Sequence, residues 1–182
     1  LEVGKKYYAM CGNSQTGDRY NVGGVSGALS LAAVESFTNL PMVSDIFTAT
    51  ADGTFSTLHH TCGVVEIPFT GTGTLDKVQF NANNSTEPYV RGNFTVSFTD
   101  DKVGTITKGN MNNYRYIAEY TTYYTPLTLT AEPKSLFIPL LPGTYNNVII
   151  YNNDGVDELA TGLSVTVERG KVHKKSTAIN VE

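Results

Sequence analysis

Short runs in which apolar and polar residues alternate, separated by turn-forming residues, recur along most of this chain. The clearest run extends from Arg91 to Thr99, where Phe94, Val96 and Phe98 alternate with asparagine, threonine and serine. A period of two residues is that of a β-strand, whose successive side chains point to opposite faces. The pattern therefore predicts antiparallel sheets with one face buried and the other in water.

About ten such runs follow one another, with turn signals roughly every 8 to 12 residues, which is typical of an antiparallel sandwich. The predicted strands span 5–10, 46–50, 55–69, 75–82, 91–99, 103–107, 114–124, 127–131, 135–141, 144–151, 163–168 and 171–179. Residues 28–37 are the one helix candidate, and their pattern fits a short helix or an irregular loop equally well. Because strands and helices do not alternate, a parallel α/β sheet is excluded. We therefore predict an all-β fold, an antiparallel two-sheet sandwich of about 7–10 strands with at most one short helix, in one domain over residues 1–182.

The composition agrees with strands and turns rather than with solvated helices. Charged residues make up only 16% of the chain, and threonine, asparagine, serine, glycine and tyrosine take their place. A formal net charge of -4 and the lack of a basic patch argue against nucleic acid as a partner. No apolar run approaches the roughly 18 residues that a membrane helix needs. The sequence begins at Leu1 without a signal peptide, so we expect it to be a piece, such as the N-terminal domain, of a longer exported precursor.

Two histidines and a cysteine crowd into the sequence HHTCGVVEIPF, and they raise three hypotheses: a metal site, a reactive thiol or a core strand. Strand alternation would place His60 and Cys62 on one face and His59 on the other. A tetrahedral metal site would also need His173 and either Cys11 or a carboxylate. A catalytic thiol would need a base and an orienting group, which the spacing does not supply. We therefore favour a core strand, and we predict no catalytic residue, no metal and no cofactor.

Two smaller features leave alternatives open. Cys11 and Cys62 could form a disulfide in an oxidising compartment, or could each remain a small buried hydrophobe. The segment 152–158 is rich in side-chain oxygens, but these are more closely bunched than the ligands of a twelve-residue calcium loop. We interpret it as a hairpin loop, with weak calcium binding as the alternative.

Tyrosines are concentrated in the predicted strand 114–124. Tyr114, Tyr116, Tyr120 and Tyr124 would share one face of a continuous strand. Tyrosine combines apolar area with a polar tip, so this face could bind a sugar or a partner surface. Ordinary cross-strand packing would explain it equally well. A carbohydrate-binding surface module that uses this face is our alternative function.

The order of several sequence pieces resembles that of fimbrillin-like proteins of the Bacteroides group. The matching pieces are Tyr-Tyr-Ala at 7–9, the His-and-Cys strand with its glycine turn at 55–71, the following strand at 75–80, the glycine-containing piece at 90–94, the Pro-Leu-Leu-Pro-Gly step at 137–145 and the closing strand pair at 163–172. Each piece alone is weakly specific, and together they span about residues 5–175. The resemblance rests on their shared order.

The resemblance implies a cell-surface or outer-membrane lipoprotein with transthyretin-like β-sandwich domains, which acts as a pilus subunit or an adhesin. Subunits of such proteins join by strand exchange, which uses an exposed sheet edge. We therefore expect a non-enzymatic fimbrial or adhesive protein whose partners are other pilus or surface subunits, with a host protein or glycan as a possible target. A membrane would be reached only through a lipid anchor outside this sequence.

The two terminal strands, 5–10 and 171–179, are the edges that we expect to be offered to a neighbouring subunit. The residues predicted at these edges are Lys5, Tyr7, Tyr8, Met10, Lys171, Val172, Lys174 and Ile179.

Overall fold

The computed structural model of the chain describes residues 1–11, 20–21, 24–29, 40–53, 56–82, 92–108, 117–121, 127–152, 158–160 and 162–181. These residues contain nineteen β-strands and no helix, which confirms the all-β prediction. In chain order the strands are β1 (Lys6–Tyr7), β2 (Met10–Cys11), β3 (Tyr20–Asn21), β4 (Gly24–Leu29), β5 (Met42–Ser44), β6 (Phe47–Thr48), β7 (Leu58–His60), β8 (Gly63–Gly71), β9 (Thr74–Ala82), β10 (Gly92–Thr99), β11 (Lys102–Lys108), β12 (Ile117–Thr121), β13 (Leu127–Thr128), β14 (Lys134–Leu140), β15 (Gly143–Asn152), β16 (Glu158–Ala160), β17 (Val165–Val167), β18 (Val172–Lys174) and β19 (Ile179–Val181).

Strands within residues 6–108 form three antiparallel sheets. One consists of β1 and β6, the second has the order β2-β5-β7, and the third has the order β11-β10-β4-β3. The hairpin between β10 and β11 turns at Asp100 and Asp101, which have φ angles of 50° and 64°. Two central residues with positive φ define the type I′ turn, whose twist matches that of the flanking strands.

Two further sheets combine β8 and β9 with strands from residues 117–181. In the first, the order is β12-β9-β15-β16, with β13 also paired to β9 and β17 to β15. In the second, β8 lies between β14 and the two C-terminal strands, β18 and β19. Pairing of β8 with β18 and β19 is parallel, whereas all other pairings among the described strands are antiparallel. The predicted antiparallel pattern therefore holds for the pairings among the described strands, apart from those of β18 and β19 with β8.

The larger hydrophobic core takes side chains from both of these two sheets, including β8, β9, β14, β15 and β19. At its centre Tyr145 is fully buried and meets Phe80 edge to face, with ring centroids 6.3 Å apart. Its hydroxyl donates a hydrogen bond to the carbonyl of Leu141, so burial leaves no unpaired phenol. Leu141 itself belongs to a second, smaller core with Val43, Cys62, Phe94, Val96 and Val103.

The predicted strand 55–69 is broken in the structure. Its first part, β7, pairs with β5, whereas its second part, β8, lies in a different sheet. Thr61 and Cys62 connect them, and residues 61–69 are all buried. The predicted strand 5–10 likewise divides into β1 and β2, and the predicted strand 171–179 divides into β18 and β19.

Two other predictions are modified. Of the helix candidate, Ala28 and Leu29 lie in β4, and residues 30–37 lie outside the described part of the chain. In β9, Leu75 is buried together with Val78, although strict alternation would put them on opposite faces. The reason is a bulge: Tyr151 of the partner strand β15 lies opposite Lys77, whereas the next residue, Asn152, lies opposite Leu75. The extra residue in β9 reverses the alternation of its side chains at this point.

Candidate functional site

The C-terminal segment, residues 171–181, is held as an edge strand along β8. Val172 lies opposite Val64 and Ile179 lies opposite Phe69, both in parallel register. On its other side β8 pairs with β14 over seven residue pairs, so β8 is the inner strand. No other strand among the described residues pairs with the outer side of this segment. Residues 171–179, which we predicted to be an edge, thus lie at a sheet edge among the described strands. Their inner side pairs with β8 of the same chain.

A proline divides the contact between β8 and the C-terminal segment. The amide of Val64 donates to the Lys171 carbonyl, and the Glu66 carbonyl accepts from the Lys175 amide. Every second residue of β8 therefore bonds to this segment, and the next in that series is Pro68, which has no N–H to donate. Pairing stops there and resumes from Phe69. This missing donor explains why the predicted strand 171–179 is interrupted.

The second half of the segment inserts apolar side chains into the larger core. Ile179 and Val181 are 9% and 4% exposed, whereas Asn180 between them is exposed. The first half differs, since Val172 is 55% exposed. Burial of the two apolar side chains contributes about 1.5–3 kcal/mol each, so β19 supplies most of the apolar contact that this segment makes.

Two glycines bracket β8 and let the chain pass close to it. A Cβ on Gly71 would lie 1.8 Å from the carbonyl oxygen of Val181, and the φ angle of Gly71 is +139°. A Cβ on Gly63 would lie 2.2 Å from the carbonyl oxygen of Glu168, just before the turn into β18. Both positions therefore admit glycine alone without displacement of the backbone. From the sequence, Gly71 was recognised only as part of a turn and Gly63 only as a strand residue, although their spacing at the two ends of a long apolar strand was visible.

A buried carboxylate fastens the first half of the segment. Glu66 in β8 is 9% exposed; its Oε1 accepts a hydrogen bond from the Ser135 hydroxyl at 2.8 Å and lies 2.7 Å from the Lys174 ammonium. The Lys174 ammonium lowers the pKa of Glu66 from its ordinary value, and Ser135 adds to this effect. Glu66 therefore remains ionised and paired. A lone acidic residue within an apolar strand was the sequence signal for it.

The predicted N-terminal edge lies on short strands. The Ala49 amide donates a hydrogen bond to the Lys5 carbonyl, at 2.9 Å. The rings of Tyr7 and Tyr8 are half-buried and lie near Phe47 and Phe98, with centroids 6.4 and 6.0 Å apart. Met10, in β2, packs against the smaller core. These strands are held by both backbone bonds and side-chain packing. The C-terminal segment is held by its backbone bonds to β8, by the Glu66–Lys174 pair and by the burial of β19.

A second polar cluster joins the β2-β5-β7 sheet to the β10–β11 hairpin. Asp45 is 4% exposed, and its Oδ1 accepts a hydrogen bond from the Val103 amide at 2.8 Å. Its Oδ2 lies 3.0 Å from the Lys102 ammonium, and His59 Nε2 lies 3.1 Å from Oδ1. The Val103 amide, more than Lys102 and His59, lowers the pKa of Asp45 to about 2 despite its burial. Through these contacts the cluster ties β5 and β7 to the β10–β11 hairpin.

We expect acid to weaken this tie. The folded-state pKa of Asp45, about 2, lies below its ordinary value of 3.8. Its contribution to stability is therefore complete above pH 4 and is lost as the pH falls through about 2. The free energy of unfolding from urea titrations should decrease by about 2 kcal/mol over that interval. Asp45→Asn should be less stable than the wild type at pH 6 and should approach it at pH 2; an unchanged difference would contradict the assignment.

The residues named in the metal-site and reactive-thiol hypotheses do not converge. His60 lies in β7, Cys62 is buried in the smaller core, and the Nε2 of His173 accepts a hydrogen bond from the Glu168 amide. Within the described ranges, no three histidine, cysteine, aspartate or glutamate residues are placed to hold a metal ion. Cys11 is exposed, Cys62 is buried, and no disulfide joins them. Burial raises the pKa of the Cys62 thiol to about 12, which makes it a poor nucleophile.

Two predicted features fall outside the described part of the chain. Tyr114, Tyr116 and Tyr124 are not described, and for Tyr120 only its position in β12 is given, opposite Val78 of β9. The tyrosine face therefore stays a prediction. The same holds for the calcium alternative, because residues 153–157 lie outside the described ranges.

No helix that could cross a bilayer is found in the residues that the structure describes. In comparisons with known proteins, no protein-family model matches this chain, and no curated protein matches it significantly.

Proposed function

We propose that this chain is a non-enzymatic surface protein, a fimbrillin-like pilus subunit or adhesin, which joins neighbouring subunits by strand exchange at β8. One observation supports the proposal most: the C-terminal segment lies at a sheet edge and is connected to the rest of the fold through one tight turn. In this turn the Lys171 amide donates to the Glu168 carbonyl, and Gly170 has a φ angle of +69°. The segment can leave β8 by rotation about this one turn, once its backbone bonds to β8 and the burial of Ile179 and Val181 are given up.

Strand exchange is physically reasonable at this edge. The hydrogen bonds between β8 and the segment are backbone bonds, which a segment of the same sequence from another copy can make equally well. An intermolecular contact would preserve the buried Ile179 and Val181, so the exchange would cost mainly association entropy. We expect the assembled subunits to lie at the cell surface, as the sequence resemblance implies.

A disulfide across the contact tests this proposal. Thr70 and Asn180 are neighbours in the parallel register, and the Thr70 hydroxyl donates to Asn180 Oδ1 at 3.4 Å. Neighbouring strands lie about 4.8 Å apart, within the Cα separation that a disulfide allows. We would combine Thr70→Cys and Asn180→Cys with Cys11→Ser, which removes the exposed native thiol. Two tagged forms of different size would be mixed while reduced, incubated at high concentration and then oxidised.

Strand exchange should give disulfide-linked dimers and longer species, including dimers of the two tagged forms, on a non-reducing gel. The matched control is the same protein oxidised before mixing, which should form only the intrachain disulfide and stay monomeric. Protein with Thr70→Cys alone measures random crosslinking. If oxidation after mixing gives only intrachain disulfides, segment exchange does not occur and the proposal is wrong.

A further inference from the structure

We propose that β8 selects its incoming strand by a spaced pattern: a basic side chain, followed five and seven residues later by two apolar side chains. This inference rests on the proposed strand exchange and deepens it. In the structure the pattern is provided by Lys174, Ile179 and Val181, which lie opposite Glu66, Phe69 and Gly71 of β8. The occupant that fits is the C-terminal segment of a second copy of this chain.

The basic position follows from the surroundings of Glu66. Its side chain is 12% exposed and is held between the Ser135 hydroxyl and the Lys174 ammonium. A strand without a cation at this position would leave the carboxylate buried without a counter-charge, which is strongly unfavourable. A strand with an acidic residue there would add like-charge repulsion. The charge requirement is therefore set by β8.

The apolar positions follow from the core beneath β19. Ile179 and Val181 belong to the larger hydrophobic core, together with Phe69 of β8 and Leu136 of β14. A polar side chain at either position would be buried without a hydrogen-bond partner. The residue between them, Asn180, is exposed and so carries no such requirement.

The spacing follows from Pro68. Before the proline, partners differ by 108 in residue number, as for Val172 and Val64; after it they differ by 110, as for Ile179 and Phe69. Two extra residues are thus inserted opposite the position where β8 lacks a donor, and Ser176 and Thr177 there are exposed. An uninterrupted strand would place its apolar residues three and five positions after the basic one. Pro68 thereby makes the spacing itself a recognition feature.

Peptide uptake by the full-length protein tests the pattern. Fluorescent peptides that copy residues 168–181 would be warmed with excess unlabelled protein and cooled, and bound peptide would be measured by gel filtration and anisotropy. Three peptides are compared: the natural sequence, Lys174→Glu, and a peptide that lacks Ser176 and Thr177. Because the changes are in the peptide, the wild-type protein stays correctly folded.

We expect the natural peptide to bind and both altered peptides to bind at least about tenfold more weakly. Two protein variants provide reciprocal tests: Glu66→Lys should restore binding of the Lys174→Glu peptide, and Pro68→Ala, which regains an N–H, should favour the shortened peptide. Equal binding of all three peptides to the wild type would overturn the pattern alone. Absence of binding by every peptide, including the natural one, would overturn the proposed strand exchange and the pattern with it.

Discussion

Gly71→Ala is expected to release the end of the chain from β8 and to lower the free energy of unfolding by about 4 kcal/mol. The new methyl group would lie 1.8 Å from the Val181 carbonyl oxygen, so backbone must move and β19 cannot keep its position. Part of the loss, about 1–3 kcal/mol, comes from the φ angle of +139°, which alanine rarely adopts. The remainder comes from exposure of Ile179 and Val181. Urea unfolding measures the total, and hydrogen exchange at 179–181 locates it.

Gly53→Ala is the matched control for this prediction. Gly53 also has a positive φ, +68°, but a Cβ there would meet no atom within 4 Å. Gly53→Ala therefore measures the cost of placing alanine at a positive φ without a steric clash, which should lower the free energy of unfolding by about 1 kcal/mol. Protection of the amides at 179–181 should stay unchanged in this control. If the two variants lose the same stability, the close passage of Val181 over Gly71 is not important for holding the segment.

Asp45→Ala is expected to lower the free energy of unfolding by about 3 kcal/mol at pH 7. The change leaves the Val103 amide buried without its acceptor and removes the partner of the Lys102 ammonium. The loss should be local to the joint between β5, β7 and the β10–β11 hairpin. Urea unfolding gives its size, and increased hydrogen exchange at Val103 would show that the lost bond is the cause.

Lys6→Ala provides the comparison for the aspartate. Lys6 lies 2.6 Å from Asp101 in an ion pair whose side chains are 61% and 45% exposed. Exposed pairs of this kind contribute little, about 0–1 kcal/mol, because water screens both charges. A loss for Lys6→Ala as large as that for Asp45→Ala would mean that burial of Asp45 is not what gives its contacts their effect.

The strand content of the chain could be predicted from alternation. The run 91–99 became β10 with Phe94 and Val96 buried, and 144–151 lies within β15. The turn between the predicted strands 91–99 and 103–107 is formed by Asp100 and Asp101, and aspartate tolerates positive φ. Patterns of this kind depend only on residues that are near neighbours along the chain, so a single sequence is enough to predict them.

Strand boundaries and the candidate site were less predictable. Pro68 interrupts a strand that lies more than a hundred residues later, and nothing within 171–179 indicates that break. Cys62 was correctly interpreted as a core residue. The continuous strand predicted around it was wrong, because Cys62 lies between β7 and β8, which belong to different sheets. The contact between Glu66 and Lys174 likewise joins distant positions that only pairing can bring together.

By itself, then, the sequence determined that this chain forms short strands with tight turns and an apolar interior. Those properties follow from side-chain period and turn chemistry, which are local. Only the tertiary structure decided that the C-terminal segment runs parallel to β8 between Gly63 and Gly71. It also decided that the pairing is interrupted opposite Pro68, which has no N–H to donate. The physical reason is that an edge exists only once strands have paired, so the direction, register and occupant of that edge are properties of the folded chain.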